Sequence, residues 1–181
     1  MPPNPLHFSA IAPLHFKLPE SFDITALLFS STFVDLELLY YFLTENHMSH
    51  GLWHSYFFVL TIYPVVLGLI VYAGERKLQK TISSVYGFFR FFPRKVRYSF
   101  KAIYSSCLIG GLSHVFFDMW SHENSPYVLF PFYKENPFWI GDWSIIIYVL
   151  VGLLSIYTVF LWIRQMIEHH NSSGENKANS E

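Results

Sequence analysis

His114, Asp118 and His122 stand four residues apart in an apolar, aromatic run, GGLSHVFFDMWSH. Four helical residues turn the chain by about 400°, so each of the three drifts only about 40° from the one before. They share one stripe of a helix. Histidine nitrogen and carboxylate oxygen at i and i+4 can hold a single divalent ion, and the same spacing serves the zinc-binding helix of many metalloproteases. Zinc comes first by ligand type. Other donors are available. Asp35 and Glu37 lie in FVDLELLYYF, and His47, His50 and His54 follow at i, i+3 and i+7. His7 stands near the start. Asp35 and Glu37, two residues apart, are expected on opposite sides of a helix, so at most one should join His114. His47 is expected to be solvated, and His15, His169 and His170 to lie at the surface.

These residues need something to hold them, and the composition says what. Of the 181 residues, 52% are hydrophobic, 20% are aromatic and only 14% are charged. A soluble domain carries about 25% charged residues. The length allows one domain, and the composition is that of an all-α integral membrane helical bundle. Net charge is −1, so bulk charge offers nothing to nucleic acid. The single cysteine, Cys107, excludes an internal disulfide and reads as a packing residue. The N-terminus lacks the basic and apolar regions of a signal peptide.

About 20 apolar residues cross a bilayer. Four segments qualify: Ile24–Leu43, Tyr56–Ala73, Ala102–Trp120 and Ser144–Ile163. Pro64 should kink the second. Gly110 and Gly111 should let a neighbouring helix approach the third. A short N-terminal helix, re-entrant or interfacial, precedes them. Residues 1–165 form the membrane-embedded domain, and residues 166–181 read as a polar disordered tail. Eight of the twelve Lys and Arg residues fall between the second and third spans. The positive-inside rule therefore puts loop 74–101 in the cytoplasm, with both termini on the same side. The loop's mixture of bases and aromatics suits a membrane interface, with anionic lipid head groups as the sharper reading. In PFYKENPFWIGDW the aromatics suit an interface belt, and Lys134 could meet a phosphate.

Ionisable groups within spans normally face the bundle interior and mark function. The ligand set expected from the residues is His54, His114, Asp118 and His122, followed by Asp35 and His7. Glu37 has two roles open to it, general base or a partner that orients a ligand histidine.

The blocks NPLHFSAIAPL, FVDLELLYYF, HSYFFVL, and GGLSHVFFDMWSH with SPYVLFPF downstream, extend this reading. Together they resemble an integral-membrane metal-dependent hydrolase family, the LexA-regulated, YdjM-like inner-membrane proteins. The resemblance runs from residue 5 to about 145, and its most specific part is Ser-His-x3-Asp-x2-Ser-His. It implies a prokaryotic inner-membrane location. The ligand order is also similar to that of zinc-dependent phospholipases C, which implies His7, Asp35, His54, His114 and Asp118 around one or two metal ions. The final His-x3-Glu pair of those enzymes has no counterpart here. The resulting expectation is a membrane-bound hydrolase acting on a phosphoester, phospholipid or other amphiphile. The rivals are a metal or proton transporter and a membrane protein with a purely structural metal. No acids are expected in the basic halves of the spans, which favours the enzyme.

Overall fold

The computed structural model describes residues 6–45, 50–91, 97–123, 125 and 127–178. Every regular element among them is helical. α1 is Leu6–Lys17, α2 Ile24–Thr32, α3 Leu36–Glu45, α4 Tyr56–Leu60, α5 Ile62–Lys77, α6 Gln79–Phe88, α7 Phe100–Ser121 and α8 Ile145–Ala178. Three helical stretches, Ile24–Glu45, Phe100–Ser121 and Gly141–Asn171, are long and apolar enough to cross a membrane.

The second expected span is divided. α4 and α5 meet at Thr61, three residues before Pro64. Proline has no N–H to give the carbonyl four residues back, and its ring crowds that carbonyl. Here that carbonyl belongs to Leu60, the last residue of α4, which explains a break rather than a kink. Across it, Val59, Tyr63, Leu67 and Val71 recur every four residues and are all buried.

α7 is the central element, and it carries two adjacent stripes. Ile103, Cys107, Gly111, Val115 and Met119 face α4 and α5 as part of the hydrophobic core. Ser106, Gly110, His114 and Asp118 face α2 and the turn after it. The two glycines permit the contact, as expected. A Cβ on Gly110 would overlap the Ser30 hydroxyl, and one on Gly111 would lie 3.0 Å from the Tyr63 ring. The N-termini are capped by side chains. Asp23 accepts from the Ala26 N–H at 2.6 Å, and Ser99 accepts from Ala102 at 3.2 Å.

α2–α3, α4–α5, α7 and α8 alternate in direction. α1 runs antiparallel to α2 and packs against α8, where the Ser9 carbonyl accepts from Thr158. His7, in its first turn, sits at the depth of Asp118. The first described residues therefore lie at the His/Asp end of the bundle. Lys17, at the other end of α1, lies over the Tyr157 ring of α8.

Two further expectations need correction. The polar tail is helical as far as Ala178, because α8 continues without a new nucleation step and an Arg164–Glu168 pair at 2.7 Å supports it. His15 is buried, not superficial. Its Nδ1 lies 2.8 Å from the Phe22 carbonyl oxygen, where α1 turns into α2.

A candidate metal centre

Helix α2 does not run straight into α3. The chain tightens into a 3-10 turn over Phe33–Asp35, and Asp35 is its last residue. The turn aims the Asp35 carboxylate at α7. Asp35 Oδ1 lies 3.3 Å from His114 Nε2 and 3.6 Å from His54 Nε2. Asp118 Oδ2 lies 3.1 Å and 3.7 Å from the same two nitrogens. Four donors from three elements thus converge, all of them buried. Around a tetrahedral zinc with ligands at about 2.0–2.2 Å, neighbouring donors are about 3.3–3.6 Å apart. The observed 3.1–3.7 Å edges fit that size.

The ring orientations are fixed from behind. His114 Nδ1 is 2.7 Å from the Ser31 carbonyl oxygen and donates to it, which aims Nε2 inward at the two carboxylates. His54 Nδ1 donates to Glu37 Oε2 at 2.9 Å, with the same effect. His54 Nε2, His114 Nε2 and Asp118 Oδ1 are buried without a hydrogen-bond partner. Orphaned inward-pointing lone pairs whose far nitrogens are hydrogen-bonded are what a metal site requires. Its residues fit a divalent ion.

Glu37 is on the same side of the structure as Asp35, which the helical spacing did not lead one to expect. It reaches the centre indirectly, by way of His54. The 3-10 turn between them, and a second turn over Leu52–His54, place His54 between the two carboxylates. Glu37 Oε2 also accepts from the Gly51 N–H at 3.0 Å and the Trp53 N–H at 3.1 Å. Its geometry supplies the orienting role. Gly51 has to be glycine because a Cβ there would overlap Glu37 Oε1 and lie 2.7 Å from the Tyr41 hydroxyl.

A second group shares Asp118. His50 Nε2 is 3.8 Å from Asp118 Oδ2, and His122 Nε2 is 3.5 Å from Oδ1. His50, Asp118 and His122 form a three-donor set. His7 Nε2 adds a contact to Oδ1 at 3.2 Å, with its ring against that of His114 at 4.5 Å. His122 does not belong to the helical stripe as expected. α7 ends at Ser121, and His122 is extended, its N–H bonded to the Asp118 carbonyl at 2.9 Å. The side chain returns to Asp118 even so.

Two participants escaped the expected set. His50 is buried, and burial together with neighbouring His54 holds its pKa down to about 3, so both ring nitrogens are not charged at neutral pH. The i, i+4 spacing of His50 and His54, equal to that of His114 and Asp118, was the available signal. Asn136 is the other. Its Nδ2 donates to the carbonyls of Met119 and His122, both at 2.8 Å, and ties the aromatic loop to the end of α7. Lys134 is exposed in that loop. His47 falls outside the described residues.

A small cleft opens beside the second group. His7, His50, Asp118 and His122 form its polar wall, and Leu38, Phe117, Ile147, Tyr148 and Val151 its apolar one. Ile147, Tyr148 and Val151 all belong to α8, which walls one side of the cleft.

One family model, described as a domain of unknown function (DUF4184), matches residues 1–180, and the chain belongs to that family. No curated protein and no solved structure matches the chain.

Proposed function

For this DUF4184 family member we propose a membrane-embedded, metal-dependent hydrolase acting on a phosphoester or lipid-like substrate. The observation that carries the reading is the division of labour around Asp118. The first donor set, Asp35, His54, His114 and Asp118, is complete and buried. The second, His50, Asp118 and His122, has three donors and adjoins the cleft. Structural zinc sites are closed by four protein ligands, whereas catalytic ones keep a position open. The second set has that open position, and it is where a substrate can arrive.

A divalent ion bound there supplies a Lewis acid and lowers the pKa of water toward neutrality. The chain's own residues do the rest. Glu37 and the Ser31 carbonyl hold two imidazoles in register. Phe117, Ile147 and Val151 exclude bulk water from one wall, which strengthens every charge interaction inside. The apolar wall of the cleft suits the hydrocarbon part of an amphiphile. Zinc in one or two ions and a prokaryotic inner-membrane location, with loop 74–101 cytoplasmic, belong to this same reading.

The transporter reading has one observation in its favour. Asp23 and Glu75 are buried acids that approach one another at the basic end, where no such acids were expected. One assay separates the two. Purified chain loaded with zinc is given a micellar phosphodiester and, in sealed vesicles, a zinc gradient. Hydrolysis that disappears in His122→Ala, without zinc flux, supports the enzyme. Flux without hydrolysis overturns it.

A further inference from the structure

At the basic end, two apolar cavities lie side by side. One of about 370 Å3 lies between α2 and α6, walled by Phe8, Ile24, Leu28, Val85, Phe89 and Phe91. The other, of about 160 Å3, lies between α1 and α8, with Ala12, Phe16, Val159 and Trp162. Phe8 and Phe91 belong to both. No polar surface lines either one; of the three hydroxyl residues that border the larger cavity, Thr25 and Tyr86 turn their oxygens to each other. An apolar cavity of 150 Å3 already stays dry. These are larger in sum and open, since Leu28, Phe29, Val85 and Phe89 on the rim are all well exposed. In a bilayer the available filler is hydrocarbon.

Three bases adjoin the lining residues in sequence. Lys77 and Lys80 flank Leu78 and Thr81, which line the larger cavity, and Arg90 stands between Phe89 and Phe91. Arg90 has a φ of 52°, in the left-handed region that costs a residue with a Cβ energy. That turn is what brings Phe89 and Phe91 to one cavity, 6.5 Å apart. All three bases are exposed, and among the described residues no carboxylate pairs with any of them. Arg97 differs, because Gln79 accepts two of its hydrogen bonds.

We propose that this end of the bundle holds one anionic phospholipid, its acyl chains in the two cavities and its phosphate among Lys77, Lys80 and Arg90. The charge complement selects the head group. A zwitterionic lipid would bring its ammonium to the same three cations. The site is distinct from the metal centre, which lies at the opposite ends of α5 and α7. It therefore holds a bound lipid and not a substrate.

The test uses full-length chain reconstituted in nanodiscs of equal parts phosphatidylglycerol and phosphatidylcholine. The chain is released into mild detergent, and its retained lipid is read by native mass spectrometry. One phosphatidylglycerol per chain is expected, at least about tenfold over phosphatidylcholine. Each base near an anionic surface contributes about 1 kcal/mol, so Lys77→Gln with Lys80→Gln and Arg90→Gln should lower retention on the order of 100-fold. Val85→Trp, which fills the larger cavity and leaves the bases, should abolish it. Equal retention of both lipids, no retained lipid, or phosphatidylglycerol surviving either change overturns the proposal. Should Val85→Trp fail a thermal melt, the triple variant decides, because its three positions are exposed.

Discussion

Replacing Glu37 separates its two possible roles. In Glu37→Ala, His54 Nδ1 loses its acceptor, and so do the N–H groups of Gly51 and Trp53. Loss of such a carboxylate behind a ligand histidine costs about 10–100-fold in metal affinity. The two abandoned N–H groups add a stability cost. A buried orphan costs about 1–3 kcal/mol. Trp53 is partly exposed, so the pair should cost about 2–4 kcal/mol rather than the full sum. Glu37→Gln behaves differently. Its carbonyl oxygen can take the Oε2 position, where all three donors converge, and the amide then falls at Oε1, which the Trp53 N–H approaches at 3.1 Å. Gln should therefore keep zinc within about tenfold of wild type, while Ala loses more than that. The assay is competitive zinc titration against a fluorescent chelator, with a thermal melt as a check on folding. Were Glu37 instead the general base, both variants would keep full zinc affinity and lose hydrolysis alike. That result would refute the orienting role.

Three other outcomes follow from the geometry. Gly110→Ala should destabilise the fold by about 1–3 kcal/mol, because its Cβ overlaps Ser30 on α2, and Gly111→Ala by less, since the Tyr63 ring can shift; thermal melts in detergent would check both. His50→Ala and His122→Ala should each remove one ion and leave the ion held by Asp35, His54 and His114, which metal counting per chain would show. Chelation should lower the melting temperature, since zinc at 100 times its dissociation constant stabilises the folded chain by about 2.7 kcal/mol.

Much of this architecture was legible in composition and spacing. The apolar lengths located three of the four expected spans, and Gly110 and Gly111 marked the close contacts of α7 with α2 and with α4 and α5. His114 and Asp118 declared themselves by standing one helical turn apart among apolar residues. What periodicity could not show was where helices stop. Asp35 and Glu37 were assigned to opposite faces because a continuous helix was assumed, and a 3-10 turn at Asp35 removes that assumption. The same holds for His50, which joins the cluster through the turn at Leu52–His54 and not along a helix face. His122 lies just past the end of α7. Pro64 did signal a disturbance, but the break falls at Thr61 because the crowded carbonyl is four residues earlier. The acid pair of Asp23 and Glu75 was hidden for another reason. Asp23 caps α2 and Glu75 lies near the end of α5, and only the packing of α5 against α2 buries them together.

The account rests on Asp118 serving two ions, and counting metals tests it most directly. Purified wild-type chain and Asp118→Ala, both shown to be folded, would be analysed for metal by mass spectrometry after zinc addition and desalting. Two zinc ions per wild-type chain, and fewer than one in the variant, is the predicted result. A folded wild-type chain that retains no metal would contradict the account and leave the His/Asp cluster as polar packing between helices.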